Sequence, residues 1–253
     1  MPNPLIVGLI VFAVVLAGAL VGWTTKQRLP KHHLTEETKN VVSVSMAVVA
    51  TVSALVLGLL ISNANTKFSV LEGEVTALSA EILRLDQILH QYGPDTNPAR
   101  ETLREYAEQK TDDLFPKEPA NVRLGNPSTY ELLQRLEDSL LAMKPATPRD
   151  QWWLGQAMSL AGKMGDIRWL LAQQIGQGTP KAFVALLVFW LALLFFSFGL
   201  FAPRNATVIA VLGVCALSVA CAIFLIIELD RSFEGLLQIS GAPMRAALAR
   251  LSH

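Results

Sequence analysis

The residues whose types and spacing could support a function form one stripe and one cluster. The stripe is a set of small or polar residues at intervals of three or four positions, which places them on one face of an α-helix. Close helix packing in lipid and the lining of a water-filled pore both use such residues, so both interpretations stay open, with packing the more common use. The stripe residues are Ser43, Ala47, Thr51, Ala54, Gly58, Ser62 and Asn65.

The cluster consists of polar residues at the ends of two apolar segments. Asn63, with Asn65 nearby, follows the second apolar segment, and Glu228, Asp230 and Arg231 end the fourth. These groups are expected at one membrane level. A salt-bridge and capping cluster that locks the C-terminal tail to the bundle is the simpler interpretation. The outer mouth of a conduction path is the alternative, although charges at the edge of a span are weaker indicators than charges within it.

The sequence contains no constellation typical of an enzyme. The four histidines lack metal-ligand spacing beyond the adjacent pair His32 and His33, which fits a basic loop better than a metal site. There is no P-loop, no GxGxxG after a strand and no GxSxG. No lysine cluster with interleaved aromatic residues indicates nucleic acid binding. We therefore expect no catalysis, no metal, no cofactor and no nucleic acid partner.

The apolar residues predict a protein of the membrane. The chain has 253 residues, of which 52% are hydrophobic and 17% charged, with a mean hydropathy of +0.40. Four segments of about 20 residues are long and apolar enough to cross a bilayer. They are residues 5–23, 41–62, 182–201 and 206–227.

The second span belongs to a much longer predicted helix, residues 35–92. Thr35 is a suitable N-cap, and no proline follows until Pro94. Beyond the span the apolar residues alternate at intervals of three and four, which is typical of a coiled-coil seam. The seam residues are Phe68, Leu71, Val75, Leu78, Ile82, Leu85, Leu89 and Tyr92.

Three further helices are predicted before the third span. They cover about 98–113, about 128–143 with a capping box of Ser128 and Glu131, and about 148–175 with Thr147 as N-cap. The last carries a second seam, which predicts antiparallel packing against the first. Its residues are Trp153, Ala157, Leu160, Met164, Ile167, Leu171 and Ile175.

The predicted fold is therefore all-α, with four transmembrane helices and an extramembrane helical bundle between the second and third. The bundle is a long antiparallel hairpin with two short helices. The predicted domains are residues 1–63 (transmembrane helices 1 and 2), 64–180 (bundle), 181–229 (transmembrane helices 3 and 4) and 230–253 (an amphipathic tail in the membrane interface).

The distribution of basic residues predicts an orientation. The short loop 24–40 contains Lys26, Arg28, Lys31 and Lys39, and the loop 202–205 contains Arg204. The positive-inside rule places both loops in the cytoplasm. Both termini and residues 64–180 would then lie outside, on the periplasmic side of a bacterial inner membrane. Residues 64–180 contain 12 Lys and Arg against 16 Asp and Glu, which fits the outer side.

The C-terminal third resembles a known family. The GLFAPRNAT turn (199–207) and the ELDRSFEGLLQIS…AP segment (228–243) carry the resemblance, with a looser match over 57–74. The sequence is similar to bacterial membrane proteins described as having a bestrophin-like domain of unknown function. Ser232 stands where that family usually has proline after the LDR triplet. The resemblance implies a distant relation to bestrophins, which are oligomeric, chiefly pentameric, anion channels.

Two features depart from that relation. Bestrophins keep their large domain in the cytosol, whereas the basic loops here predict an outer one. The stem after the second span is acidic, with Glu72, Glu74, Glu81 and Asp86, and would attract cations rather than anions.

Two functions follow as hypotheses. The first is a homo-oligomeric channel or pore-like assembly with the second span nearest the axis, whose partners are the lipid bilayer, other copies of the chain and an ion of undetermined type. The second is a non-conducting structural or signalling envelope protein whose outer bundle binds a partner.

Overall fold

The fold is described by a computed structural model that covers residues 3–30, 35–118, 121–173, 178–203 and 205–251. These residues form α-helices and one short 3-10 turn, with no β-strand among them. The helices are α1 (Pro4–Arg28), α2 (Glu36–Tyr92), α3 (Asn97–Leu114), α4 (Pro127–Leu141), α5 (Pro148–Gln173), α6 (Lys181–Phe201), α7 (Ala206–Leu229) and α8 (Ala242–Leu251).

The chain divides into two compact units. The first, here called the membrane unit, contains Met1–Lys67 and Thr179–Asp230, and the second, the bundle unit, contains Phe68–Gly178 and Arg231–His253. Helices α1, α2, α6 and α7 each contain a stretch that is long and apolar enough to span a membrane. The predicted all-α fold with four candidate spans is confirmed.

Close contact between α1 and α6 organises the membrane unit. A methyl group added at Gly22 would collide with the backbone of Phe196 and Leu200, and one added at Gly199 would collide with the backbone of Ala19. Gly18 is similarly placed against Ala192. The Gly18–Gly22 pair is a GxxxG pattern, and the structure uses it to bring two helix backbones together, which is how such helices gain packing energy in lipid.

Helix α2 is one continuous helix, as the sequence predicts. It begins after Thr35, whose Oγ1 accepts a hydrogen bond from the Thr38 backbone N–H at 3.2 Å. Seam residues from Leu71 to Leu89 are buried in the bundle unit. They share one core with the buried seam of α5, which includes Ala157 and Leu171. The predicted seam residue Ile175 lies outside the described residues.

The start of α5 lies near the end of α2. Burial raises the pKa of Tyr92, and the carboxylates of Asp150 and Asp95 raise it further. Thr147 and Asp150 cap α5 reciprocally: each backbone N–H donates to the other side chain at 3.1 Å. This proximity supports the antiparallel arrangement of the two long helices.

Helix α4 begins at Pro127, one residue before the predicted N-cap Ser128. The N-cap is Asn126, whose Oδ1 accepts from the Ser128 backbone N–H at 3.1 Å, with Pro127 as the first helical residue. Asn before Pro is a strong start signal, so Ser128 lies inside the helix and is not its cap.

The C-terminal tail packs on the bundle unit. Met244, Ala247 and Leu251 of α8 are buried, and α8 packs on α3. Ile239 also belongs to the core of the bundle unit, where the ring of Phe233 lies 6.0 Å from that of Phe115. The apolar face of α8 is therefore covered by protein.

We expect Gly22→Ala to destabilise the membrane unit, because its Cβ would force α1 away from the α6 backbone. A loss of roughly 1–3 kcal/mol is typical of such overpacking, visible as a lower thermal midpoint and loss of monodispersity in detergent. Gly213→Ala is the matched control, since its Cβ would meet no atom within 4 Å. Equal behaviour of the two variants would contradict the close contact.

Candidate functional site

The stripe on α2 is exposed along its whole length in the single chain. All seven of its residues, from Ser43 to Asn65, are exposed, and a Cβ at Gly58 would meet nothing within 4 Å. The face of α2 that is buried carries Ser53, Leu60 and Ala64 instead. At 100° per residue the two faces are roughly 130° apart. The stripe therefore does not serve helix packing inside this chain. Its first two residues, Ser43 and Ala47, border a cleft between α2, α6 and α7.

The stripe offers small hydroxyl and amide groups and no formal charge. The Thr51 hydroxyl donates to the Ala47 carbonyl at 2.9 Å, so this side chain satisfies its hydrogen within its own helix. Its oxygen still has a free lone pair that can face water or a cation. Uncharged groups of this kind can line a wetted path but do not by themselves select the sign of an ion.

The predicted membrane-edge cluster is only partly assembled. The Asp230 Oδ2 atom accepts a hydrogen bond from the Thr179 backbone N–H at 2.7 Å, which joins the end of α7 to the residues before α6. Glu228 is buried. Arg231 Nη2 lies 3.0 Å from Glu234 Oε2 in the bundle unit. Asn63 is exposed and has no hydrogen-bond partner among the described residues.

A matching bond fixes the other end of the membrane unit. The Lys26 Nζ atom donates to the Ala202 carbonyl at 3.1 Å, just beyond α6. The side chain thus neutralises part of the negative end of the α6 dipole. His32, His33 and Arg204 lie outside the described residues, and among the described ones no three His, Cys, Asp or Glu residues form a metal site.

The expected acidic stem is partly neutralised. Arg100 of α3 pairs with Asp86 at 2.7 Å, and this hydrogen bond raises the pKa of Arg100. Glu72 is exposed, whereas Glu74 and Glu81 are half-buried. The attraction for cations that the sequence suggests is therefore weakened by the ion pair at Asp86.

Two buried charged side chains in the bundle unit, Asp113 and Lys110, are not among the residues that the sequence singles out. Asp113 accepts hydrogen bonds from the Asn126 amide at 2.8 Å and from the Thr129 hydroxyl, so one carboxylate holds the start of α4. One turn earlier on α3, Lys110 is only 1% exposed and donates to the Leu124 carbonyl at 3.3 Å. The sequence signal was available, because Leu103, Tyr106, Lys110 and Leu114 share one helix face.

Burial governs the protonation of these groups. Desolvation lowers the pKa of Lys110 to about 8, with the Asp113 carboxylate opposing the shift and the Arg168 guanidinium adding to it. Desolvation also raises the pKa of Tyr106, whose hydroxyl is buried without a hydrogen-bond partner among the described residues. The Arg168 guanidinium lies 4.5 Å from the centre of the Tyr130 ring.

These elements define a multi-span, all-helical membrane protein with a helical bundle unit and an uncharged polar stripe on its longest helix. A family model described as the bestrophin-like domain matches residues 12–244, so the chain belongs to the bestrophin-like family. No curated protein matches the chain.

Solved structures share the fold. Two crystal structures of point mutants of a bacterial bestrophin homologue from Klebsiella pneumoniae are similar. One has a TM-score of 0.72 at 12% identity over 96% of this chain and 97% of that chain. The other has 0.71 at 13% over 99% and 98%. A point mutant described as a membrane protein gives 0.72 at 13%, over 99% and 98%. Identity this low establishes the fold and nothing finer.

The buried lysine makes the stability of the bundle unit depend on pH. Between pH 8 and the ordinary lysine pKa of 10.5, the unfolded chain binds more protons than the folded one, so stability rises with pH. The slope is at most about 1.4 kcal/mol per pH unit. Above pH 10 the raised pKa of Tyr106 makes stability fall with pH, because the unfolded chain loses this proton first. Thermal midpoints are therefore best compared between pH 8 and 10.

Lys110→Met should remove this slope and raise the midpoint most at pH 8. Lys117→Met, at an exposed position shortly after the same helix, should leave the slope unchanged. If the native chain and Lys110→Met have parallel midpoints over this range, the lysine is not buried in the way described.

Proposed function

We propose that the chain is the subunit of a homo-oligomeric ion channel in which α2 lies nearest the symmetry axis. The observation that carries the proposal is the exposure of the complete small-polar stripe on α2. A polar stripe that does not pack inside its own chain must face lipid, other copies or water. Lipid is the least favourable of these surroundings for its hydroxyl and amide groups.

A closed ring satisfies that requirement. Cyclic symmetry would bring one stripe from each copy to a common axis, where exposed serine, threonine and asparagine side chains can be solvated together. Membership in the bestrophin-like family supports the same assignment, because bestrophins are oligomeric anion channels. The similar Klebsiella pneumoniae structures are described as bestrophin homologues.

The stripe does not identify the permeant ion. It has no formal charge, and the acidic residue Asp86 is already paired with Arg100. We therefore assign neither anion nor cation selectivity to the assembly. A flux assay must include both chloride and potassium.

We expect liposomes containing the purified chain to show chloride or potassium flux. Thr51→Leu and Gly58→Leu should reduce that flux at least several-fold, because each places a bulky apolar side chain on the stripe and favours dewetting of a narrow path. Val48→Leu is the control, since Val48 is exposed on α2 outside the stripe.

Absence of flux under any gradient, together with an oligomer that lacks a continuous axial path, would rule out conduction. Equal loss in the control variant would instead point to a general packing defect. The first result would leave the non-conducting envelope protein as the remaining assignment, whereas the second would contradict only the placement of the path at the stripe.

One observation favours that second function. Trp152 and Trp169 on α5 are 57% and 59% exposed in the bundle unit. Exposed tryptophans are enriched where proteins bind other proteins. In the second assignment these side chains contact a partner, whereas in the channel they lie between copies or face water.

The orientation is a further part of the proposal: the loops 24–40 and 202–205 face the cytoplasm, and the bundle unit lies outside. The bond between Lys26 and Ala202 supports only a common side for these two loops. The assignment of that side rests on the positive-inside rule.

Labelling of single cysteines in intact cells tests the orientation. With Cys215 and Cys221 replaced by serine, Lys163→Cys on the exposed surface of α5 should react with a membrane-impermeant maleimide. Arg28→Cys should react only after lysis. The reverse pattern would place the bundle unit in the cytosol, as in bestrophins.

A further inference from the structure

A cleft of about 730 Å³ opens between α2, α6 and α7 in the membrane unit. Its walls are chiefly apolar, with Met46 and Ala50 on α2, Leu194 and Phe198 on α6, and Leu212 on α7. The cleft shares Ser43 and Ala47 with the proposed channel stripe, and its other lining residues lie outside the stripe. The proposed function does not explain these other residues.

The cleft has the depth of one membrane leaflet. Along α2 it extends from Lys39 to Ala50, a rise of 11 residue steps or about 16 Å at 1.5 Å per step. Half of a hydrocarbon core of about 30 Å is about 15 Å. Because Lys39 lies just before the apolar span, the cleft begins at the membrane surface and ends near the bilayer centre.

The surface end of the cleft is basic. Lys39 lines it, and its ammonium group has only one ion-pair partner among the described residues, Glu36, at 3.3 Å. Glu36 is 82% exposed, so this pair is weak. Lys26 adds a second ammonium group at the same end, because it donates to Ala202, another lining residue.

We propose that this cleft binds an anionic phospholipid from the surrounding leaflet. Its phosphate lies at Lys39 and Lys26, and an acyl chain occupies the apolar walls as far as Ala50. Basic pockets between transmembrane helices bind anionic headgroups in this way. The inference does not depend on whether the assembly conducts ions.

The charge pattern of the cleft favours a phospholipid over a helix of a second copy as its occupant. A flexible acyl chain fits the space at full depth. The charge at one end and the apolar walls beyond it match the two parts of a phospholipid.

Native mass spectrometry of the full chain tests the proposal, with phosphatidylglycerol or phosphatidylcholine added at equal concentration to protein in detergent. At least one phosphatidylglycerol per chain should be retained, at least about fivefold more tightly than phosphatidylcholine, the factor expected for one lysine near the headgroup. Lys39→Gln should lose about fivefold in affinity for phosphatidylglycerol. Arg28→Gln, a cation of the same loop that does not line the cleft, should change it less than twofold.

A second pair of variants tests the apolar part. Ala50→Phe should weaken retention of phosphatidylglycerol several-fold by filling the cleft, whereas Val48→Phe on the exposed surface of α2 should not. Equal binding of the two lipids, or equal losses in the two charge variants, would overturn the proposal. So would unchanged lipid retention in Ala50→Phe. If Ala50→Phe dissociates the oligomer while lipid retention is unchanged, another copy occupies the cleft.

Discussion

Helix α2 is one continuous helix that has to be stable both in the membrane and in the bundle unit. Its first half has the length and composition of a membrane span, and in lipid every backbone group must be paired inside the helix. In its second half only one seam is buried, and the other faces are polar. Because the helix is uninterrupted, its register carries through: Ser53, Leu60 and Ala64 continue the buried face that Leu71 and Val75 extend in the bundle unit. The small-polar stripe lies on a different face of the same helix and is therefore exposed.

The membrane unit depends on shape and a few polar bonds, because lipid supplies no hydrophobic force between helices. Gly22 and Gly199 let α1 and α6 approach until only hydrogen atoms fit between their backbones. Lys26 bonded to Ala202 and Asp230 bonded to Thr179 then fix the two ends of α6. The Gly199 contact gives a physical reason for the GLFAPRNAT turn that carries the family resemblance: its first residue has to be glycine.

The bundle unit follows the ordinary rules of a protein in water. Its core is formed by the two long seams together with α3, α4 and the returning α8. Asp113 accepts hydrogen bonds from the Asn126 and Thr129 side chains at the start of α4, and Lys110 brings a charge into a site where burial penalises it. A bound carbonyl and the nearby carboxylate compensate only part of that penalty, which is why the pKa of Lys110 is lowered.

The sequence by itself determined the four spans, the unbroken helix from Thr35 to Tyr92, both seams and the cap at Thr147. Each of these is a local signal of period, composition or capping. Only the tertiary structure decided that the stripe is exposed, that α8 packs on α3, and that Asp230 bonds to Thr179 while Arg231 pairs with Glu234. A helical period shows which residues share a face, but the partner of that face is set by contacts between segments far apart in the chain.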